Sequence, residues 1–164
     1  MKAITLMALA LLAGPAYGQN FPKTDGQFGH VYWMHTVSDG EALAHALEAV
    51  IKTYLPGARE DDKWKIIIED RTTFLSEGGS VAHEYTAGQN MFPPRCHSYT
   101  KLRVTECMGP WVREFSQAAK AGTLAHEYGH ILCGPKEADV DYCAGYVLRP
   151  ESFAHPPHLS DFVH

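Results

Sequence analysis

Along the chain, apolar positions fall into short blocks whose period changes from two to about 3.6 residues. HVYWMHTV (30–37), rich in β-branched and aromatic residues, predicts a first strand. Ser38 with Glu41 three residues on has the form of a capping box, and Leu43, Leu47, Val50, Ile51 and Tyr54 follow at helical spacing. An amphipathic helix is therefore expected over 39–55, ended by Pro56-Gly57. WKIIIED (64–70) is a short apolar run bounded by charge and predicts a buried strand. SVAHEYTAG, behind Glu77-Gly78-Gly79, reads as another strand, and YTKLRVTE (99–106) as a further one flanked by Cys96 and Cys107, as though a hairpin were pinned there.

Pro110 stands where a helix begins, and Trp111, Phe115, Ala118, Gly122, Ala125, Gly129 and Leu132 form one stripe, which predicts a single helix to Cys133. Its small residues, Ala118, Ala119, Gly122 and Gly129, are expected to let it approach the sheet closely. Gly134-Pro135 stops it, and PKEADVDYCAGYVL makes a second helix ending before Pro150. The tail, ESFAHPPHLSDFVH, carries no period.

Composition narrows the class. With 164 residues, 45% of them apolar, the chain suits one compact domain with a modest core. The first residues, MKAITLMALALLAGPAYGQN, have one Lys, an apolar run and small residues at Ala16 and Gly18, the pattern of a secretory signal peptide over 1–18. That run is shorter than the roughly 18 apolar residues of a membrane span, so no stable membrane insertion is expected after cleavage, and 19–164 is read as a single domain. The net charge of −5 becomes about −6 without Lys2, which excludes a basic nucleic-acid face. Export, secreted or periplasmic, implies an oxidising medium, so the four cysteines are expected to form two disulfides. Three pairings are open; Cys96 with Cys107 and Cys133 with Cys143 would close two short loops, each worth about 3 kcal/mol.

The string AHEY occurs twice, at His83 and at His126. After the second copy, His130 stands four residues past His126, so on a helix both imidazoles share one face and suit one tetrahedral zinc. Glu127 beside them is placed for a general base. H-E-x-x-H has a chance expectation of about 4% in such a composition, so a third ligand is needed to decide. The next helix offers Glu137, Asp139 and Asp141; Glu137 and Asp141 share a face and Asp139 points away. A tight reversal brings Glu137 to the metal, and Asp141 is expected to accept a ring N–H from one of the histidines. The first copy has no partner at i+4, and in a strand His83 and Glu84 point to opposite sides, so His83 is left out of the site.

HEYGH followed by EADVD resembles the zincin metallopeptidases of gluzincin type, whose third zinc ligand is a Glu on the helix after the active-site helix. The register is also similar to that of the CAAX-processing and heat-shock membrane peptidases and the small regulator-cleaving peptidases of bacteria, whose second helix reads E-x-x-A-D-x-F-A; EADVDYCA matches its Glu, Asp and final Ala. The resemblance covers about 40 residues, from roughly 110 to 149, and departs in the short inter-helix loop and at Val140, where a small Ala is expected. It implies an α+β, minimal zincin-like domain: a small sheet packed on an N-terminal helix and the active-site helix, then a short closing helix carrying the third ligand. It implies one zinc ion on His126, His130 and Glu137, Glu127 as general base and Asp141 as orienting residue. The expected activity is exported endopeptidase hydrolysis of a peptide or protein substrate by a monomer. The substrate would lie along an edge strand near 99–106 or 80–87, and Tyr142, Tyr146, Arg149, His155 and His158 are candidate oxyanion donors. The alternative is a secreted binding protein with a structural zinc.

Overall fold

The structure, a computed structural model, describes residues 24–70 and 95–162. The predicted signal peptide (1–18) and the predicted strand holding the first AHEY copy lie outside the described residues.

The class is α+β, with a five-stranded mixed sheet and four α-helices among the described residues. β1 (Gly26–Phe28) and β2 (Val31–Trp33) pair antiparallel around Gly29, whose φ of +59° is open to glycine at little cost. α1 (Gly40–Tyr54) then crosses to β3 (Lys65–Glu69), parallel to β2. β4 (Cys96–Tyr99) and β5 (Val104–Met108) are an antiparallel pair, with β5 parallel to β3, so the order is β1-β2-β3-β5-β4 and β4 is an edge among the described residues. α2 (Gly109–Glu114), α3 (Gln117–Cys133) and α4 (Glu137–Leu148) follow.

One core holds the molecule. The α1 stripe Leu43, Leu47, Val50 and Ile51 shares it with Ile66 and Ile68 of β3, Trp111 of α2, and Leu124, Ala125, Tyr128 and Ile131 of α3. Each such side chain contributes roughly 1.5–3 kcal/mol by leaving water. Ile67, alternating to the other side of β3, joins Tyr99 and Val104 in a smaller cluster.

Four local expectations change. The residue capping α1 is Asp39, and no side chain bonds the helix start; the Asp39 carboxylate instead accepts from Arg113 Nε at 2.8 Å. The predicted strand 99–106 is the end of β4, a 3-10 turn (Thr100–Leu102) and the start of β5, joined by Arg103 at φ +55°. The predicted helix from Pro110 to Cys133 is two: Ser116 turns extended and its hydroxyl accepts from Ala119 N–H at 3.2 Å, starting α3 afresh. The real inner face of α3 is therefore Ala121, Leu124, Ala125, Tyr128 and Ile131, while Phe115, Ala118 and Gly122 are exposed. Gly129 serves a close approach, but to α4 rather than to the sheet.

Both short-loop disulfides form. Cys96 and Cys107 are directly opposed on β4 and β5 with Cα atoms 4.1 Å apart. Cys133 and Cys143, with Cα atoms 6.4 Å apart, tie the last residue of α3 to the middle of α4. Among the described residues no helix is long and apolar enough to cross a membrane.

Candidate metal centre

His126 and His130 project from α3 one turn apart, with ring centroids 4.9 Å apart and planes at 88°. Gly134, at φ +89°, ends α3 and lets the chain reverse within three residues into α4. The helices can lie this close because position 129 has no side chain: a Cβ there would stand 2.8 Å from the Val140 carbonyl oxygen and 3.1 Å from its Cγ1. Glu137, the first residue of α4, is thereby laid across the two rings. Its Oε2 is 3.3 Å from His126 Nε2 and its Oε1 is 3.5 Å from His130 Nε2.

These separations suit a metal. Three donor atoms, one each from His126, His130 and Glu137, all lie within 4.8 Å of one another and could hold an ion. Around a tetrahedral zinc at about 2.0–2.1 Å, neighbouring donor atoms stand about 3.4 Å apart. The His130 ring is also set for it: Nδ1 lies 3.0 Å from the Gly134 carbonyl oxygen, so an Nδ1–H donated there leaves the Nε2 lone pair facing Glu137. Thr100 Oγ1 donates to the His130 carbonyl at 3.1 Å, fixing this turn of α3 against the sheet.

Glu127 points from the buried side of the same turn. Burial pushes its carboxyl up to about 7; hydrogen bonding from Ser98 opposes the rise and the charge of Glu137 adds to it. Oε2 has no hydrogen-bond partner among the described residues. Behind Ser98 stands a series of polar groups. Trp64 Nε1, which can only donate, gives its proton to Thr105 Oγ1 at 2.9 Å, and the Thr105 and Ser98 hydroxyls are 2.8 Å apart. If Thr105 donates to Ser98, the Ser98 proton is left for Glu127, so every donor in the series finds an acceptor.

The structure thus brings together His126, His130, Glu137 and Glu127. Asp141 is exposed on α4, and Nδ1 of His130, one of the two rings it was expected to orient, lies instead against the Gly134 carbonyl. Beside the site is a cleft of about 300 Å³, lined among the described residues by Arg95, Cys96, Gly122, Thr123, His126 and Glu127. None of the five proposed oxyanion donors lines it. Tyr142 and Tyr146 instead pack edge-on against Phe153, at 5.0 and 5.6 Å between ring centroids, and His158 N–H donates to Asp161 at 2.8 Å. Sequence reasoning missed Ser98, Thr105, Thr100 and Arg95. One signal was present: pairing Cys96 with Cys107 across a hairpin also sets Ser98 opposite Thr105, two residues further in on each strand.

Comparison with known proteins adds no relative: no family model, no curated protein and no solved structure matches the chain.

Proposed function

We propose that this chain is an exported zinc-dependent endopeptidase of zincin type, with His126, His130 and Glu137 as ligands. The observation that carries the reading is three donor atoms, one each from His126, His130 and Glu137, within 4.8 Å of one another, with a buried carboxylate, Glu127, on the adjoining cleft wall. Two imidazoles and one carboxylate favour zinc over magnesium or calcium, and three protein ligands leave one position for chemistry. Zinc so held supplies Lewis acidity to a peptide carbonyl and acidifies attacking water. Glu127 takes the water's proton and passes it to the departing amine nitrogen. β4, an edge of the sheet among the described residues, runs beside α3. Two disulfides favour an oxidising destination.

Bound zinc and hydrolysis of a broad peptide library, measured for wild type, Glu127→Gln and Glu137→Ala, test the reading. Glu127→Gln is expected to keep zinc and lose about 10²–10⁴-fold in kcat, while Glu137→Ala loses zinc. Full activity in Glu127→Gln sinks the mechanism. A zinc-loaded wild type that cleaves nothing supports the structural-zinc alternative.

A further inference from the structure

The cleft beside the site has a floor whose composition the fold does not explain. Gly122 lies inside α3, one turn before His126, where glycine costs about 1 kcal/mol relative to alanine. Gly129 repays that cost by letting α4 approach, but a Cβ at 122 would meet no described atom within 4 Å. Packing within the described fold therefore leaves the absent side chain at 122 unexplained. What it leaves is room, directly beside His126 and Glu127.

The facing wall is Arg95 and Cys96, at the entry to the edge strand β4. This wall is firmly held. The Arg95 carbonyl accepts from Met108 N–H at 2.9 Å, and Cys96 is bonded to Cys107. The Arg95 guanidinium lies over the Phe115 ring, 5.3 Å from its centroid, and no carboxylate pairs with it among the described residues. In a chain of net charge −5, an arginine at the cleft with no acidic partner among the described residues is available as counter-charge to an anion.

We propose that this cleft is a specificity subsite for a substrate residue bearing a carboxylate, with Gly122 giving it space and Arg95 its counter-charge. The inference rests on the peptidase reading and names its substrate class: peptides with a carboxylate close to the scissile bond, from a Glu or Asp side chain or from the C-terminus. Arg95 selects and orients; it has no part in the proton transfers.

The test separates binding from turnover. Zinc-loaded Glu127→Gln protein is titrated calorimetrically with three matched blocked peptides: one with a central Glu, one with Gln in its place, and the Gln peptide with a free rather than amidated C-terminus. At least one carboxylate peptide is expected to bind about tenfold or more tightly than the neutral one, and the one preferred identifies the source. Adding Arg95→Gln should remove the preference with zinc content kept, and Arg95→Lys should retain part of it. Gly122→Ala should raise the thermal midpoint while weakening peptide binding, and Gly122→Val should weaken it further. No preference, or one that survives Arg95→Gln, overturns the subsite; wild-type hydrolysis without that preference would then leave the peptidase reading standing. A preference lost with Arg95, in a wild type that cleaves neither these peptides nor a broad library, overturns the peptidase reading and leaves only an anion-binding cleft.

Discussion

A buried carboxylate keeps its orientation only when neighbouring donors hold it. Ser98 fixes Glu127 and Thr105 fixes Ser98, so the geometry of the base depends on residues of β4 and β5 that touch no metal ligand. Ser98→Ala is expected to lower kcat about tenfold with zinc content and KM little changed; a variant whose loss follows lost zinc would show that Ser98 only supports the fold. The ligands themselves were readable because i, i+4 spacing on a helix fixes direction locally: His126, His130 and the following Glu137 need no knowledge of the rest of the fold. Ser98 was not readable that way, since its role exists only through cross-strand register. Nor was it readable that the Gly134 carbonyl, supplied by the turn itself, would stand against the His130 ring.

At the scale of elements, the site depends on how closely α3 and α4 approach. Gly129→Val would drive a side chain into the Val140 backbone, where a Cβ alone comes within 2.8 Å. Overpacking of this kind costs about 1–3 kcal/mol, and here it displaces the helix that carries Glu137. Zinc affinity in Gly129→Val should fall at least tenfold together with the thermal midpoint, read by competitive chelator titration and melting; unchanged affinity would show that α4 adjusts without moving Glu137. The elements misread from sequence each turn on one residue whose backbone overrides the hydrophobic period. Ser116 interrupts the stripe from Trp111 to Leu132 because its hydroxyl caps a new helix better than it continues an old one. Arg103 takes the left-handed conformation with no glycine to announce it, and its guanidinium is paired with Asp61. Strong, uninterrupted runs such as those of α1 and β3 were placed within a residue or so of their observed ends.

For the molecule as a whole, strand order was beyond the sequence, because β3 pairs with β2 across α1 and with β5 across all of β4, and nothing local specifies such non-local contacts. One buried pair now locks that arrangement. His30, between β1 and β2, has Nδ1 2.9 Å from Glu48 Oε1 on α1, and its backbone N–H donates to Glu48 Oε2 at 3.1 Å. The hydrogen bond that His30 donates to Glu48 raises the His30 pKa above its usual 6.5, burial opposing it. A raised folded-state value means that the stabilisation is complete below 6.5 and is lost as pH climbs through the raised value. The stability gap between metal-free wild type and His30→Gln, from urea unfolding, should therefore be widest near pH 6 and narrow toward alkaline pH; a constant gap would refute this. The Cys133–Cys143 bridge also has a reciprocal consequence. It joins the end of the helix holding both histidines to the helix holding Glu137, so it restricts the ligands before any ion arrives. For an ion bound by these three residues, linkage would run both ways: oxidation would tighten its binding, and the ion would shift the bridge's reduction equilibrium by the same factor. Rates of thiol release by a mild reductant, with and without zinc, would reveal whether oxidation and metal loading mature this protein as one event.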